Sequence, residues 1–224
     1  MEQDEDLAQV VTGHGPCTYL LLALLALILI YPYLKVNVIS RVIIGVLYAA
    51  VLLGGAHAVG RDRRRLIIGR GLAIAAIGLQ WFYLATHDIW AERLTGIAFV
   101  IFLLFTIGEV LAYILKKGPV TADKLHGALA GYIMLAFLWA FFYSLIESFI
   151  PGSFVLGGAR IDDPSSFLHL LYFSFTTLTT TGFGDITPVS DQARSFVIIE
   201  EFIGVFFVGV LIARLAGLYP PVKK

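Results

Sequence analysis

The chain is 224 residues long, 58% hydrophobic and only 14% charged, with a mean hydropathy of +0.86; a water-soluble domain carries roughly a quarter charged residues, so a soluble enzyme is excluded as a starting point. Lysine plus arginine and aspartate plus glutamate number 16 each, which removes the basic excess that would point to nucleic acid as a partner. The one cysteine, Cys17, excludes an intrachain disulfide and a cysteine-based metal cluster.

A bilayer span takes about 20 apolar residues, so the composition leaves room for spans and for no sizeable extramembrane domain. The acidic start carries Glu2, Asp4, Glu5 and Asp6, and the apolar run at residues 17–34 lacks a basic leader and a small-residue cleavage site. It is expected to be a retained first span and not a signal peptide. Apolar runs at residues 38–59, 66–86, 94–115 and 125–150 predict spans two to five. After Pro151 and Gly152, the stretch with Arg160, Asp162, Asp163 and Pro164 reads as a solvated loop. Residues 165–178 are apolar but too few to cross, a length suited to a re-entrant helix. Thr179 to Asp185 then breaks helicity with two glycines, and residues 195–219 form the sixth span, ended by Pro220 and Pro221.

Orientation follows from the basic residues. With the N-terminus in the cytoplasm, Arg61, Arg63, Arg64, Arg65, Arg70, Lys116, Lys117, Lys124, Arg214, Lys223 and Lys224 are inside, eleven in all. Lys35, Arg41, Arg93, Arg160 and Arg194, five in all, are outside. That bias places both termini in the cytoplasm of a multi-pass protein of the cell membrane, and the re-entrant segment dips in from outside. The Arg61 to Arg70 cluster also suits anchoring to lipid headgroups.

Non-helical backbone at membrane depth is tolerated where it is buried in protein or lines a watery cavity. Thr179-Thr180-Thr181-Gly182-Phe183-Gly184-Asp185 is such a segment. Its glycines admit positive φ, which lets successive carbonyls point one way; a row of carbonyls facing an axis replaces a cation's water shell.

The stretch Thr180-Thr181-Gly182-Phe183-Gly184-Asp185 resembles the Thr-Val-Gly-Tyr-Gly-Asp signature of the P-loop potassium channels. Pro188, Arg194, Gly204 and Gly209 fall at the distances from the aspartate seen in simple two-span bacterial members, without a gap. Tyr172 and Phe173 sit where that family's pore helix braces the filter, and Phe142-Tyr143-Ser144 with Glu147 resembles the outer end of the fifth helix of six-span channels. The resemblance runs from Ala122 onward; the first four spans match in number and topology only. It implies an all-α membrane protein of six transmembrane helices plus a re-entrant pore helix and filter. Residues 1–16 would be a cytoplasmic segment, 17–117 a four-helix domain, 118–219 the pore domain and 220–224 a cytoplasmic tail. Thr180, Thr181, Gly182, Phe183 and Gly184 would bind potassium, the permeant ion and the expected metal, with no organic cofactor.

This sequence departs from the signature at three places. Thr181 replaces valine, so a hydroxyl that needs a partner stands behind the filter. Phe183 replaces tyrosine and loses its phenolic hydrogen bond, although some two-pore-domain channels use Gly-Phe-Gly. Thr176 stands where some relatives put a glutamate that pairs with the filter aspartate, so Asp185 is expected to find water or an aromatic of the pore helix instead. The filter is therefore expected to be less rigid than usual.

Span four has Arg93, Lys116 and Lys117 at its ends and only Glu109 between them, which does not make a voltage sensor. Gly204 reads either as a close-packing residue or, by resemblance, as the gating hinge, with Gly209 as a second hinge candidate. Val205, Val208 and Ile212 would line the central cavity. Glu200 and Glu201 are about 100° apart on one helix, so at most one faces the pore helix, near Thr176 and Thr177; Glu147 would tie the fifth helix to the outer pore. An acid held protonated among these would make the protein proton-sensitive. His57, Gln80, His126 and His169 are scattered and read as packing residues.

One filter strand cannot enclose an ion, so a homotetramer in lipid is expected, conducting potassium passively. A non-selective monovalent cation channel on the same scaffold is the alternative. The pore subunit of a potassium uptake system is less favoured, since those carry four filter repeats per chain. A membrane enzyme finds no support, because no paired carboxylates or nucleophile with base share a face. With no regulatory domain after Tyr219, gating is left to lipid, protons, the filter itself or a partner protein.

Overall fold

The computed structural model describes residues 15–33, 63–116, 121–161 and 166–216, with residues 43, 45, 46, 48, 49, 51 and 54 of the stretch between the first two segments. The acidic N-terminus, most of predicted span two, Lys35, Arg41, His57, Arg61, Lys117, Asp162, Asp163, Pro164 and residues 217–224 lie outside the described residues.

Helix starts and stops follow local chemistry. Helix α1 (Pro16–Ile30) opens with proline in its first turn, where no amide hydrogen is missed, and continues into a short 3₁₀ turn at Tyr31–Tyr33. Helix α2 (Arg63–Thr86) ends on His87, whose φ of +52° reverses the chain while its amide donates to the Tyr83 carbonyl at 2.8 Å. Asp88 then caps α3 (Ile89–Leu115) by accepting from the Trp90 amide at 2.7 Å. Thr121 caps α4 (Ala122–Phe149) through the Lys124 amide.

Strands β1 (Phe154–Leu156) and β2 (Ala159–Arg160) follow, then helix α5 (Ser166–Leu178), strand β3 (Ile186–Pro188) and helix α6 (Asp191–Ala216). The Ser190 hydroxyl caps α6 at the Ala193 amide, so α6 begins four residues before the apolar run that predicted it at 195. Its first turn is polar, and hydropathy alone does not register a cap.

Among the described residues, five helices are long and apolar enough to cross a membrane: α1 with its 3₁₀ turn, α2, α3, α4 and α6. The described positions between 43 and 54 are helical too, and the molecule is an all-α membrane protein. Helix α4 is its centre. Of its apolar stretch 67% is buried, against 11% for α6. Phe99 of α3 and Phe141 of α4 stack with centroids 4.5 Å apart, and Tyr48 packs edge-on to Phe99 at 5.2 Å.

Polar ties hold α1 to α3 in place. Glu109, for which the sequence offers no role, pairs with Arg65 of α2 at 2.7 Å. The Arg93 guanidinium donates to the Ser148 carbonyl at 2.6 Å and to its hydroxyl at 3.0 Å, and lies 4.3 Å over the Phe149 ring. At the other end of α4, buried Asp123 accepts from the Cys17 amide of α1 and the Tyr113 hydroxyl of α3, each at 3.0 Å. A Cβ on Gly15 would lie 2.2 Å from that carboxylate, so only glycine lets α1 start here. His126 meets the Thr18 hydroxyl at 2.8 Å.

The predicted solvated loop after Pro151 is in part a sheet. β1 pairs antiparallel with β2 on one side and with β3 on the other, in register Leu156 with Ile186 and Phe154 with Pro188. Its residues are few and interrupted by glycines, so no alternating pattern announced it; Phe154, fully buried, pins it to the core.

Asp123 joins three helices, so Asp123→Ala is expected to lower stability by about 1–3 kcal/mol. Thermal unfolding of the detergent-solubilised protein measures this.

Candidate functional site

The last four carbonyls of a helix have no partner within it. At the end of α5 each finds one. The Phe175 carbonyl accepts from the Thr179 amide at 3.1 Å and its hydroxyl at 2.7 Å. Thr176 accepts from the amides of Thr181 at 2.8 Å and Gly182 at 3.2 Å, and Thr177 from that of Thr180 at 2.9 Å. The Leu178 carbonyl accepts from the Tyr132 hydroxyl of α4 at 3.1 Å. Thr176 and Thr177 thus support the loop through their carbonyls; the Thr176 hydroxyl is turned back onto the Phe173 carbonyl at 2.9 Å.

These bonds orient the loop backbone. In a planar trans peptide the N–H and C=O point in opposite directions. Because the amides of Thr180, Thr181 and Gly182 point at α5, the carbonyls of Thr179, Thr180 and Thr181 point away from it. Positive φ at every second residue continues this pattern: Thr180 at +56°, Gly182 at +52° and Gly184 at +79°. Glycine adopts such angles freely; Thr180 does so at a cost of about 1–2 kcal/mol. The glycines alone announced the first part of this, and nothing in the sequence marks Thr180. Residues 179–185 are exposed along the chain's open side.

Side chains then brace the loop. The Thr181 hydroxyl finds its partner in Thr179, 2.9 Å away, which in turn donates to Phe175. Of the expected aromatic pair only Tyr172 reaches the loop: its ring lies parallel to that of Phe183 with centroids 6.2 Å apart, and its hydroxyl faces the Asp185 carboxylate. Phe173, about 100° further round the helix, faces away, 5.5 Å from the rings of both Tyr143 and Phe154. The Asp185 carbonyl accepts from the Gly157 amide at 2.9 Å, so the loop leaves directly into the sheet. Glu147 secures that sheet, accepting from the amides of Gly152 at 2.5 Å and Phe154 at 3.0 Å.

Behind α5, Glu200 is fully buried while Glu201 is exposed. In place of the expected Thr176 and Thr177, Glu200 meets the hydroxyls of Ser174 of α5, at 2.5 Å, and Tyr143 of α4. Ser174 and Tyr132 carry no sequence signal, since neither belongs to a motif and each is one of several polar residues on its helix. Gly204 is a point of close approach: a Cβ there would lie 2.2 Å from the Leu178 carbonyl oxygen. Around Gly209 nothing among the described residues lies within 4 Å of such a Cβ. Val205, Val208 and Ile212 are exposed, on a face of α6 that no other element covers among the described residues. Ile203, Phe207, Val210 and Leu211 line an apolar cavity of about 240 Å³ against α3 and α4.

Residues 130–219 match the family described as "Ion channel". Over 79 residues the chain is 34% identical to "Potassium channel protein kcv" of Paramecium bursaria Chlorella virus 1, an alignment covering 34% of this chain and 82% of the viral protein. No solved structure matches the chain significantly.

Because the obstacle at Gly204 is backbone, Gly204→Ala is expected to displace α6 from α5 at a cost of about 1–3 kcal/mol. Gly209→Ala is expected to leave stability within about 0.5 kcal/mol of wild type; thermal unfolding of the two variants side by side measures the difference.

Proposed function

The chain belongs to the P-loop potassium channel superfamily, and on that premise we propose that it forms a homotetrameric, potassium-selective pore that conducts passively. The observation that carries this reading is the set of consecutive carbonyls at Thr179, Thr180 and Thr181 turned away from α5, continued by the alternating φ through Gly184. Four such strands around an axis give rings of oxygens that replace the hydration shell of potassium, with ions moving by knock-on between neighbouring sites. No bond is made or broken in the process. The tetramer is supported by the exposure of the loop and of α6, the least buried membrane helix among the described residues; apolar and carbonyl-lined faces of this kind ask for copies of themselves around a closed symmetry axis.

In this arrangement Val205, Val208 and Ile212 line the cavity below the filter, an apolar surface that can close by dewetting. Gly204 is committed to packing, which leaves Gly209 as the place where α6 bends. The excess of basic residues on one side puts both termini in the cytoplasm. Voltage has little to act on: Glu109 is neutralised by Arg65, and Arg93 is fastened to Ser148 and Phe149.

A non-selective monovalent cation channel is the second reading, favoured by Thr181, whose hydroxyl replaces an apolar side chain behind the filter. Reconstitution into liposomes, with potassium and sodium fluxes compared under barium and across voltages, decides between them. Potassium flux well above sodium flux, blocked by barium and nearly independent of voltage, is expected. Equal permeabilities in bi-ionic reversal measurements would leave only the non-selective reading, and a conductance rising steeply over tens of millivolts would contradict the weak voltage response.

A further inference from the structure

Glu200 sits with no solvent exposure where α4, α5 and α6 meet. Its Oε1 is 2.5 Å from the Ser174 hydroxyl oxygen, and its Oε2 is met by the Tyr143 hydroxyl. The same Ser174 oxygen is 3.0 Å from the Ala136 carbonyl of α4. These are three oxygen-to-oxygen contacts, and each needs one proton. A serine hydroxyl brings one, a tyrosine hydroxyl brings one, and a backbone carbonyl brings none. The third proton has one remaining place, the Glu200 carboxyl. With it, Glu200 donates to Ser174, Ser174 donates to Ala136 and Tyr143 donates to Glu200. Without it, two acceptor oxygens face each other across a hydrogen-bond distance in a buried site.

The surroundings agree. The titratable groups facing Glu200 are Tyr143 and Tyr132 of α4 and the neighbouring Glu201 of α6, while α5 presents Ser174. None of these is a cation, and a buried carboxylate without a cationic partner is costly.

We propose that Glu200 is a positioning residue for the filter and works as a neutral carboxylic acid, locking α5 to α4 and α6 through Ser174, Tyr143 and Ala136. Ser174 lies two residues before Thr176, whose carbonyl holds the amides of Thr181 and Gly182. The lock therefore fixes the helix end from which the loop hangs. Removal of the proton leaves Ser174 one hydrogen for two acceptors, and either α4 or the carboxylate loses its bond to α5. The inference rests on the pore reading for its consequence in conduction, but not for the protonation itself.

The full-length protein in liposomes and detergent, as wild type, Glu200→Ala and Glu200→Gln, tests this. Glutamine keeps the geometry without the titration: its carbonyl accepts from Tyr143 and its amide donates to Ser174. Glu200→Ala is expected to lower the thermal midpoint by about 4–10 °C and to reduce the preference for potassium over sodium. Glu200→Gln is expected to restore both. Infrared spectra of the wild type at neutral pH should show the carbonyl stretch of a protonated carboxyl group that Glu200→Gln lacks.

Absence of that band, or a Glu200→Gln variant as damaged as Glu200→Ala, overturns the neutral acid. A wild type that shows the band but passes no potassium overturns the pore reading instead, because neither infrared nor thermal measurements require conduction.

Discussion

A helix of 13 residues that stops at membrane depth leaves four carbonyls without a following turn, and in hydrocarbon an unmet polar group costs several kcal/mol. The remainder of the structure answers this constraint. The chain reverses at Thr179 and Thr180 and feeds its own next amides back into those carbonyls. The loop carbonyls are then left pointing outward from α5. The orientation of the loop oxygens is thus a by-product of satisfying the helix end, and the same bonds that complete α5 make the loop useful to a cation.

Such a loop keeps its shape only if the helix end does not move. Three contacts prevent it. Helix α4 reaches in with Tyr132 to hold the Leu178 carbonyl, α6 closes in at Gly204 where any side chain would strike that same carbonyl, and Glu200 binds Ser174 and Tyr143 together from behind. The far end of the loop is held differently, by antiparallel pairing of β3 with β1 and by the Gly157 amide on the Asp185 carbonyl. Between these fixed ends lies the strained residue Thr180, whose positive φ persists because both sides are determined by their surroundings. Helices α1 and α3 are attached to α4 at its ends, through Asp123 and through Arg93, and α2 is tied to α3 by the Arg65–Glu109 pair.

Much of the site was legible because its chemistry is local in sequence. Two glycines separated by one residue, preceded by threonines and following a short apolar helix, announce a backbone that turns its carbonyls to one side. Glu147 was read by resemblance as a tie between the fifth helix and the outer pore, and its partners Gly152 and Phe154 come within seven residues. Partners distant in sequence were read less well. One of Glu200 and Glu201 was expected near Thr176 and Thr177; it is Glu200, and it meets Ser174 about half a turn earlier on α5. Phe173 was grouped with Tyr172, although neighbours on a helix face different ways, and only packing decides which of them meets the loop. The sheet went unseen because strands of three, two and three residues are too short to display a period.

The sequence by itself determined that this is a membrane protein with apolar helices of spanning length, a re-entrant helix too short to cross, and a glycine-interrupted loop of filter type. Each of these rests on composition or on spacing within one segment. Only the tertiary structure decided which of two adjacent acids is buried and that Gly204 serves close approach of α6 to the Leu178 carbonyl. Those outcomes depend on the rotation and depth of whole helices against each other. Helix rotation is set by the sum of many weak apolar contacts, and no single residue announces that sum.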